Sequence, residues 1–132
     1  MNTIERNKQY EVKREITVSA SHKLDLPYDS KCNNLHGHNY KISVHIVTDE
    51  LNTVGMVMDF KKIDEIVNIY DHAHLNDIIM NVNPTAEIMA EHICVNIVNE
   101  LKSDNKIVTI SVNETEKSTA IVKIKCGEYG GK

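Results

Sequence analysis

The stretch from His36 to Thr48 constrains this chain more than any other. Its even-numbered positions read His36, His38, Tyr40, Ile42, Val44 and Ile46, and side chains two apart on a strand share a face. The last four are apolar or aromatic, so that face must be buried, and a strand that buries one face needs both a sheet and a covering layer. The same parity puts His36 and His38 on the buried face, at one end. One strand therefore begins with groups able to bind a metal and continues as core.

A second run leads to the same place. Residues 10–24 read as a strand in which Ile16, Val18 and Ala20 alternate with Thr17 and Ser19, and parity sets His22 on the apolar face. A lone histidine in a strand is ordinarily a core or surface residue. Two at i and i+2, with a third histidine and a thiol nearby, favour a metal. Three neutral nitrogens without an obvious fourth protein ligand are the pattern of a catalytic zinc with an open position. Cys32, four residues before His36, has three open readings: a fourth zinc ligand, a small hydrophobe, or a thiolate base. A free thiol titrates at about 8.5, and a neighbouring cation lowers that.

The remaining periodicities supply a scaffold. Residues 25–34, with Pro27, Asp29, Ser30 and two asparagines, read as a loop. Asp59 is suited to cap a helix over about 60–70, whose apolar positions are Ile63, Ile66, Val67 and Tyr70. A second helix starts near Pro84-Thr85 with the stripe Met89, Ile93, Ile97 and Leu101, joined by Ala86, Ala90 and Cys94. Val108, Ile110 and Val112 mark a third strand, and Ala120, Val122 and Ile124 a fourth. The order ββααββ predicts an α+β fold, a four-stranded antiparallel sheet with two helices on one face. Such a sheet leaves open edges, which invite pairing with other subunits.

Composition excludes several classes. At 132 residues the chain is expected to form one domain, residues 1–132. A net charge of −4 gives no reason to expect nucleic acid, since phosphate-backbone readers carry basic patches. No run approaches the ~18 apolar residues of a membrane span, and the first eight residues lack a signal peptide's apolar stretch. Cys32, Cys94 and Cys126 are odd in number and irregularly spaced, which argues against a disulfide framework and for a cytoplasmic protein.

Two further groups carry chemistry. Asp71-His72, at the end of the first helix, is either a proton-transfer pair or a histidine stabilising a helix C-terminus. Glu114 shares the parity of Val108, Ile110 and Val112. An inward carboxylate is expensive unless paired, and a heterocycle with two parallel N–H donors is a natural partner. The other reading is that the strand has ended by Asn113 and Glu114 lies in a turn.

Six segments in order resemble the 6-pyruvoyltetrahydropterin synthase and 6-carboxytetrahydropterin synthase superfamily, the zinc-dependent T-fold pterin enzymes. They are Ser19-Ala20-Ser21-His22, Cys32-Asn33-Asn34-Leu35-His36-Gly37-His38-Asn39-Tyr40, Gly55-Met56-Val57-Met58-Asp59-Phe60, Asp71-His72 with Leu75-Asn76, Asn83-Pro84-Thr85-Ala86-Glu87, and Glu114-Thr115. The resemblance implies that His22, His36 and His38 bind zinc, that Cys32 is the catalytic base, and that Asp71 with His72 transfers protons. It implies that Glu114 anchors a pterin and that Thr85 adds a contact. Val18 stands where the family usually has an aromatic residue, a departure that touches packing behind the site. Three residues between Cys32 and His36 look like the bacterial 6-carboxytetrahydropterin synthases of queuosine and deazaguanine synthesis.

The implied substrate is 7,8-dihydroneopterin triphosphate. The implied products are 6-carboxy-5,6,7,8-tetrahydropterin, acetaldehyde and triphosphate. The alternatives are a pyruvoyl-forming synthase of the tetrahydrobiopterin pathway, which eliminates triphosphate only, and a non-catalytic zinc or pterin module closed by Cys32. A structural sheet protein would leave the three aligned histidines unexplained. The family joins three sheets into a barrel and stacks two trimers, so the resemblance implies a homohexamer with sites shared between subunits.

Overall fold

The computed structural model describes residues 8–130. Strand β1 (Tyr10–His22) pairs antiparallel with β2 (His36–Thr48) along its whole length, Tyr10 opposite Thr48 and His22 opposite His36. Even positions therefore face even positions. Val18, Ala20, Tyr40, Ile42, Val44 and Ile46 all fall on one face, and all are buried. Strand β4 (Lys106–Thr115) runs antiparallel to β2, with Ile110 opposite Val44 and Val112 opposite Ile42. Strand β5 (Ser118–Cys126) pairs with β4 beyond it.

Helix α1 (Phe60–Asn68) starts where Asp59 accepts the Lys61 N–H at 2.9 Å, and it buries Ile63 and Val67. A bidentate ion pair, Arg14 to Asp64 at 2.8 and 2.7 Å, ties it to β1. Helix α3 (Ala86–Glu100) buries Met89, Ala90, Ile93, Cys94 and Ile97 over β4 and β5. Its N-terminus is capped by Thr85, which accepts the Ile88 N–H at 3.2 Å. At its other end Lys106 Nζ donates to the Val98 and Leu101 carbonyls, at 3.2 and 2.9 Å. That cation satisfies carbonyls left over at a helix C-terminus and complements its dipole.

The sheet has five strands among the described residues, in the order β3-β1-β2-β4-β5, where four were expected. The additional strand, β3 (Ala73–His74), runs parallel to β1 beside Ala20 and Ser21, so the sheet is mixed. A third helix, α2 (Leu75–Ile78), is a single turn. Neither element is long enough to produce a periodicity, which is why the sequence pattern misses both. The first helix stops at Asn68, leaving Tyr70, Asp71 and His72 in a turn. Strand β1 stops at His22 because Lys23 and Asp25 find side-chain amides, in place of a backbone neighbour. Within one chain the sheet is open, with β3 at one side and β5 at the other. Of the eight N-terminal residues read as lacking a signal peptide's apolar stretch, residues 1–7 lie outside the described residues.

Ile110, fully buried at the middle of β4, reports on this core. Ile110→Ala removes three methyl or methylene groups from a packed site and should cost about 2–5 kcal/mol, read as a lower urea midpoint with an unchanged denaturant slope.

Candidate metal centre and active site

The β1–β2 register brings His22 opposite His36, and His38 opposite Ala20. Gly37 between the two β2 histidines allows this close approach, since a Cβ there would sit 3.2 Å from the Ala20 carbonyl oxygen. One potential ligand atom from each of His22, His36 and His38 lies within 4.8 Å of the others. His22 Nδ1 faces the Pro84 carbonyl at 2.7 Å, and His36 Nδ1 faces the Asn34 carbonyl at 2.7 Å. A carbonyl can only accept, so each Nδ1 carries the proton and each Nε2 offers its lone pair. Those two Nε2 atoms are 2.9 Å apart. Neutral lone pairs at that distance repel unless a cation lies between them. His38 Nε2 is buried without a hydrogen-bond partner.

Electrostatics point the same way. Burial pushes the His22 pKa below its ordinary value, and the neighbouring His36 and His38 add to this; the Pro84 carbonyl and Glu114 oppose it. His22 is thereby held in the neutral form that ligates metals. Three converging nitrogens, two oriented by carbonyls and one orphaned, fit a metal ion.

Glu114 settles one open reading. It belongs to β4, at the irregularity where the register with β5 shifts between Asn113 and Thr115. Its carboxylate oxygens are 3.9 Å from His22 Nε2 and 3.8 Å from His38 Nε2, within ion-pair range and longer than hydrogen bonds. Glu114 also lines a cavity of about 350 Å³ with Leu24, Thr85, Ala86 and Ala120. Thr85 thus borders this cavity while its hydroxyl caps α3. Beneath the cluster, the Tyr40 ring packs edge-on against His38 and its hydroxyl is buried without a partner. Burial, reinforced by Glu114, raises that hydroxyl's pKa, so it remains protonated.

Cys32 lies in a 3-10 turn (Lys31–Asn33), half-buried and outside the group of mutually close histidines. The Ser30 hydroxyl accepts its N–H at 3.1 Å, and its carbonyl accepts the Leu24 N–H at 2.9 Å. Asp71 and His72 sit at the outer edge of β1, where Asp71 Oδ1 accepts the Ser19 N–H at 2.9 Å and the His72 N–H donates to the Ser19 carbonyl at 2.7 Å. His72 adopts φ +55°, its side chain is 85% exposed, and its Nε2 lies 3.6 Å from Asp71 Oδ2. With the helix ended at Asn68, His72 is not a helix C-terminal residue. It borders a cavity of about 580 Å³ with His38, His74, Ser19, Ser21 and Asn39. That cavity shares no residue with the one Glu114 lines. One chain therefore unites His22, His36, His38 and Glu114, with Thr85 at the rim of the Glu114 cavity, while His38 also borders the cavity of His72.

The sequence reading missed the groups that orient these residues. The Pro84 and Asn34 carbonyls are backbone and carry no side-chain signature. Ser19, Asn76 and Asn83 stand inside the quoted segments, but their partners are remote in sequence.

The His22 shift has a pH consequence for the metal-free protein. Its folded pKa lies below 6.5, so the unfolded chain binds the extra proton between the two values. The contribution is complete above about 6.5 and is lost as pH falls towards the folded value. Chelator-treated protein should unfold at lower urea at pH 5.5 than at pH 7.5, and His22→Asn should flatten that difference.

Comparison with known proteins agrees with this geometry. Residues 11–125 match the sequence model of the 6-pyruvoyl tetrahydropterin synthase family. A Bacillus subtilis relative, 6-carboxy-5,6,7,8-tetrahydropterin synthase, is 27% identical over 132 residues, covering 92% of this chain and 90% of that one. A Pyrococcus horikoshii relative is 46% identical over 68 residues, which span 48% of this chain and only 43% of that one. The structure of Caenorhabditis elegans 6-pyruvoyl tetrahydropterin synthase superposes with a TM-score of 0.65 at 23% identity, covering 91% of this chain and 97% of that one. That likeness concerns the fold.

Proposed function

Because the chain belongs to the 6-pyruvoyl tetrahydropterin synthase family, we propose that it is a zinc-dependent lyase forming 6-carboxy-5,6,7,8-tetrahydropterin. Its substrates in this reading are 7,8-dihydroneopterin triphosphate and water, its other products are acetaldehyde and triphosphate, and its pathway is queuosine and 7-deazaguanine synthesis. The observation that carries the proposal is the convergence of His22, His36 and His38 beside Glu114. The name of the Bacillus subtilis relative favours the carboxy product over the pyruvoyl one.

His22, His36 and His38 would hold the zinc, which when bound supplies Lewis acidity towards side-chain oxygens. Cys32 removes a proton from the substrate side chain as its thiolate. His72, backed by the Asp71 carboxylate, exchanges protons with the side-chain oxygens during tautomerisation and carbon–carbon cleavage. Glu114 accepts the pterin's ring N–H and exocyclic amino group and so holds the ring where its side chain reaches the histidines. Thr85 closes the same cavity.

The open sides of the sheet support an assembly in which neighbouring chains complete each other's sites. A homohexamer of two stacked trimeric barrels is the proposed form, in the cytoplasm. No helix among the described residues is long and apolar enough to cross a membrane.

Incubation with 7,8-dihydroneopterin triphosphate should give the carboxypterin and acetaldehyde by mass spectrometry. A pyruvoyl product would overturn the carboxy assignment. His36→Ala should lose both zinc and turnover, whereas Cys32→Ala should keep zinc and lose about 10²–10⁴-fold in rate, the usual worth of a general base. Zinc loss in Cys32→Ala would make Cys32 a ligand. Mixing Cys32→Ala with His72→Ala protein through dissociation and reassembly should restore activity if the sites are shared. Absence of recovery despite subunit exchange would place both residues in one chain.

A further inference from the structure

Beyond His22 the chain leaves the sheet, yet residues 23–25 still bond as a strand would. The Lys23 N–H donates to Asn76 Oδ1 at 2.9 Å, and Asn76 Nδ2 donates back to the Lys23 carbonyl at 2.8 Å. The Asp25 N–H donates to Asn83 Oδ1 at 2.7 Å, and Asn83 Nδ2 donates back to the Asp25 carbonyl at 3.1 Å. Between them the Leu24 N–H donates to a different group, the Cys32 carbonyl, at 2.9 Å. This is the alternation of a strand, whose successive residues turn their N–H and C=O groups to opposite edges. A carboxamide carries one acceptor and two donors, so each asparagine takes the place of one peptide group of a missing neighbouring strand.

The clamp sits between the groups the reaction needs. It begins one residue after His22. Asn76 follows His72 by four residues, and Asn83 immediately precedes Pro84, whose carbonyl orients His22. On the far edge it presents the Leu24 N–H to the turn that carries Cys32, and the Leu26 N–H extends the contact to Asn33 Oδ1 at 2.9 Å. With the outer edge of residues 23–25 fixed by four hydrogen bonds, the inner edge has one orientation, and the Cys32 turn follows it.

We propose that Asn76 and Asn83 are positioning residues for Cys32, their carboxamides acting as a substitute strand that fixes residues 23–25 and, through the Leu24 and Leu26 contacts, the turn that carries the cysteine. This rests on the proposed role of Cys32 as base. The test measures turnover, zinc content and the pH profile of Cys32 alkylation by iodoacetamide, mapped by peptide mass spectrometry, on Asn76→Ala, Asn83→Ala, Asn76→Asp and Asn83→Asp. The alanine variants should keep one zinc per chain as the parent does and lose about 10²-fold in kcat with KM moved less than about threefold, the effect of a misplaced reacting group. The Cys32 alkylation profile should shift along the pH axis in the same variants. The aspartate variants keep the acceptor and lose the donor, so they should fall between parent and alanine, and they carry the test if an alanine variant fails to fold. Unchanged kcat and an unchanged alkylation profile would overturn the proposal. So would loss of zinc in step with activity, which would mean that the asparagines act through His22. If the parent itself shows no turnover, the proposed activity fails, and the alkylation profiles still decide whether the asparagines place Cys32.

Discussion

The in-register pairing of β1 with β2 is the constraint on which the rest depends. It sets Val18 against Tyr40, Ile16 against Ile42 and His22 against His36 in a single ladder, so core and histidine cluster are consequences of one register. A slip of one residue would turn every side chain of a strand to the other face. The apolar half of the ladder makes such a slip expensive, because Tyr40, Ile42, Val44 and Ile46 are all fully buried. The packing energy of the core is thereby what fixes the spacing of the histidines. Gly37 completes the arrangement by letting β2 pass close to the Ala20 carbonyl.

The cluster itself is an electrostatic arrangement. Burial of His22 beside two further imidazoles disfavours charging it, and carbonyls from Pro84 and Asn34 choose the tautomer that leaves Nε2 free on His22 and His36. Those carbonyls belong to the turn before α3 and to the loop before β2, two segments that the helix cap at Thr85 and the 3-10 turn at Cys32 hold in place. Helix capping and ligand orientation are thus coupled through one or two residues of backbone. Glu114 joins from a third element, and the irregularity in the β4–β5 register is the local departure that accompanies its turn towards the histidines.

The Asp71–His72 turn obeys a different logic. It covers the edge of β1 at Ser19, taking both the N–H and the C=O that a neighbouring strand would otherwise use. In doing so it holds His72 at a positive φ and leaves its ring in solvent. A non-glycine residue held in that region costs of order 1–3 kcal/mol and persists only where its surroundings enforce it. Here the surroundings are the two bonds to Ser19 and the short parallel pairing of β3. The His72 backbone thus serves the sheet edge while its ring stays exposed.

Much of this was legible in the sequence. Alternation with period two gave strands β1, β2, β4 and β5, the helical stripe gave α3, and Asp59 marked the start of α1, because burial of one face imposes periodicity on residue type. The same parity carried His22, His36 and His38 to one face before any coordinates. What the sequence could not supply was everything decided by one or two residues or by backbone atoms. Strand β3 is too short for a pattern, and whether Glu114 stood in a strand or a turn depended on an irregularity with no compositional mark. The carbonyls that orient His22 and His36 have no side-chain identity at all. Nothing in the residue pattern marks Asn76 and Asn83 for such a role, and only the tertiary structure, by running residues 23–25 past them, makes their amides the edge of a strand. Periodic burial is written into residue type along the chain; the satisfaction of single polar groups is decided by which remote segment arrives beside them.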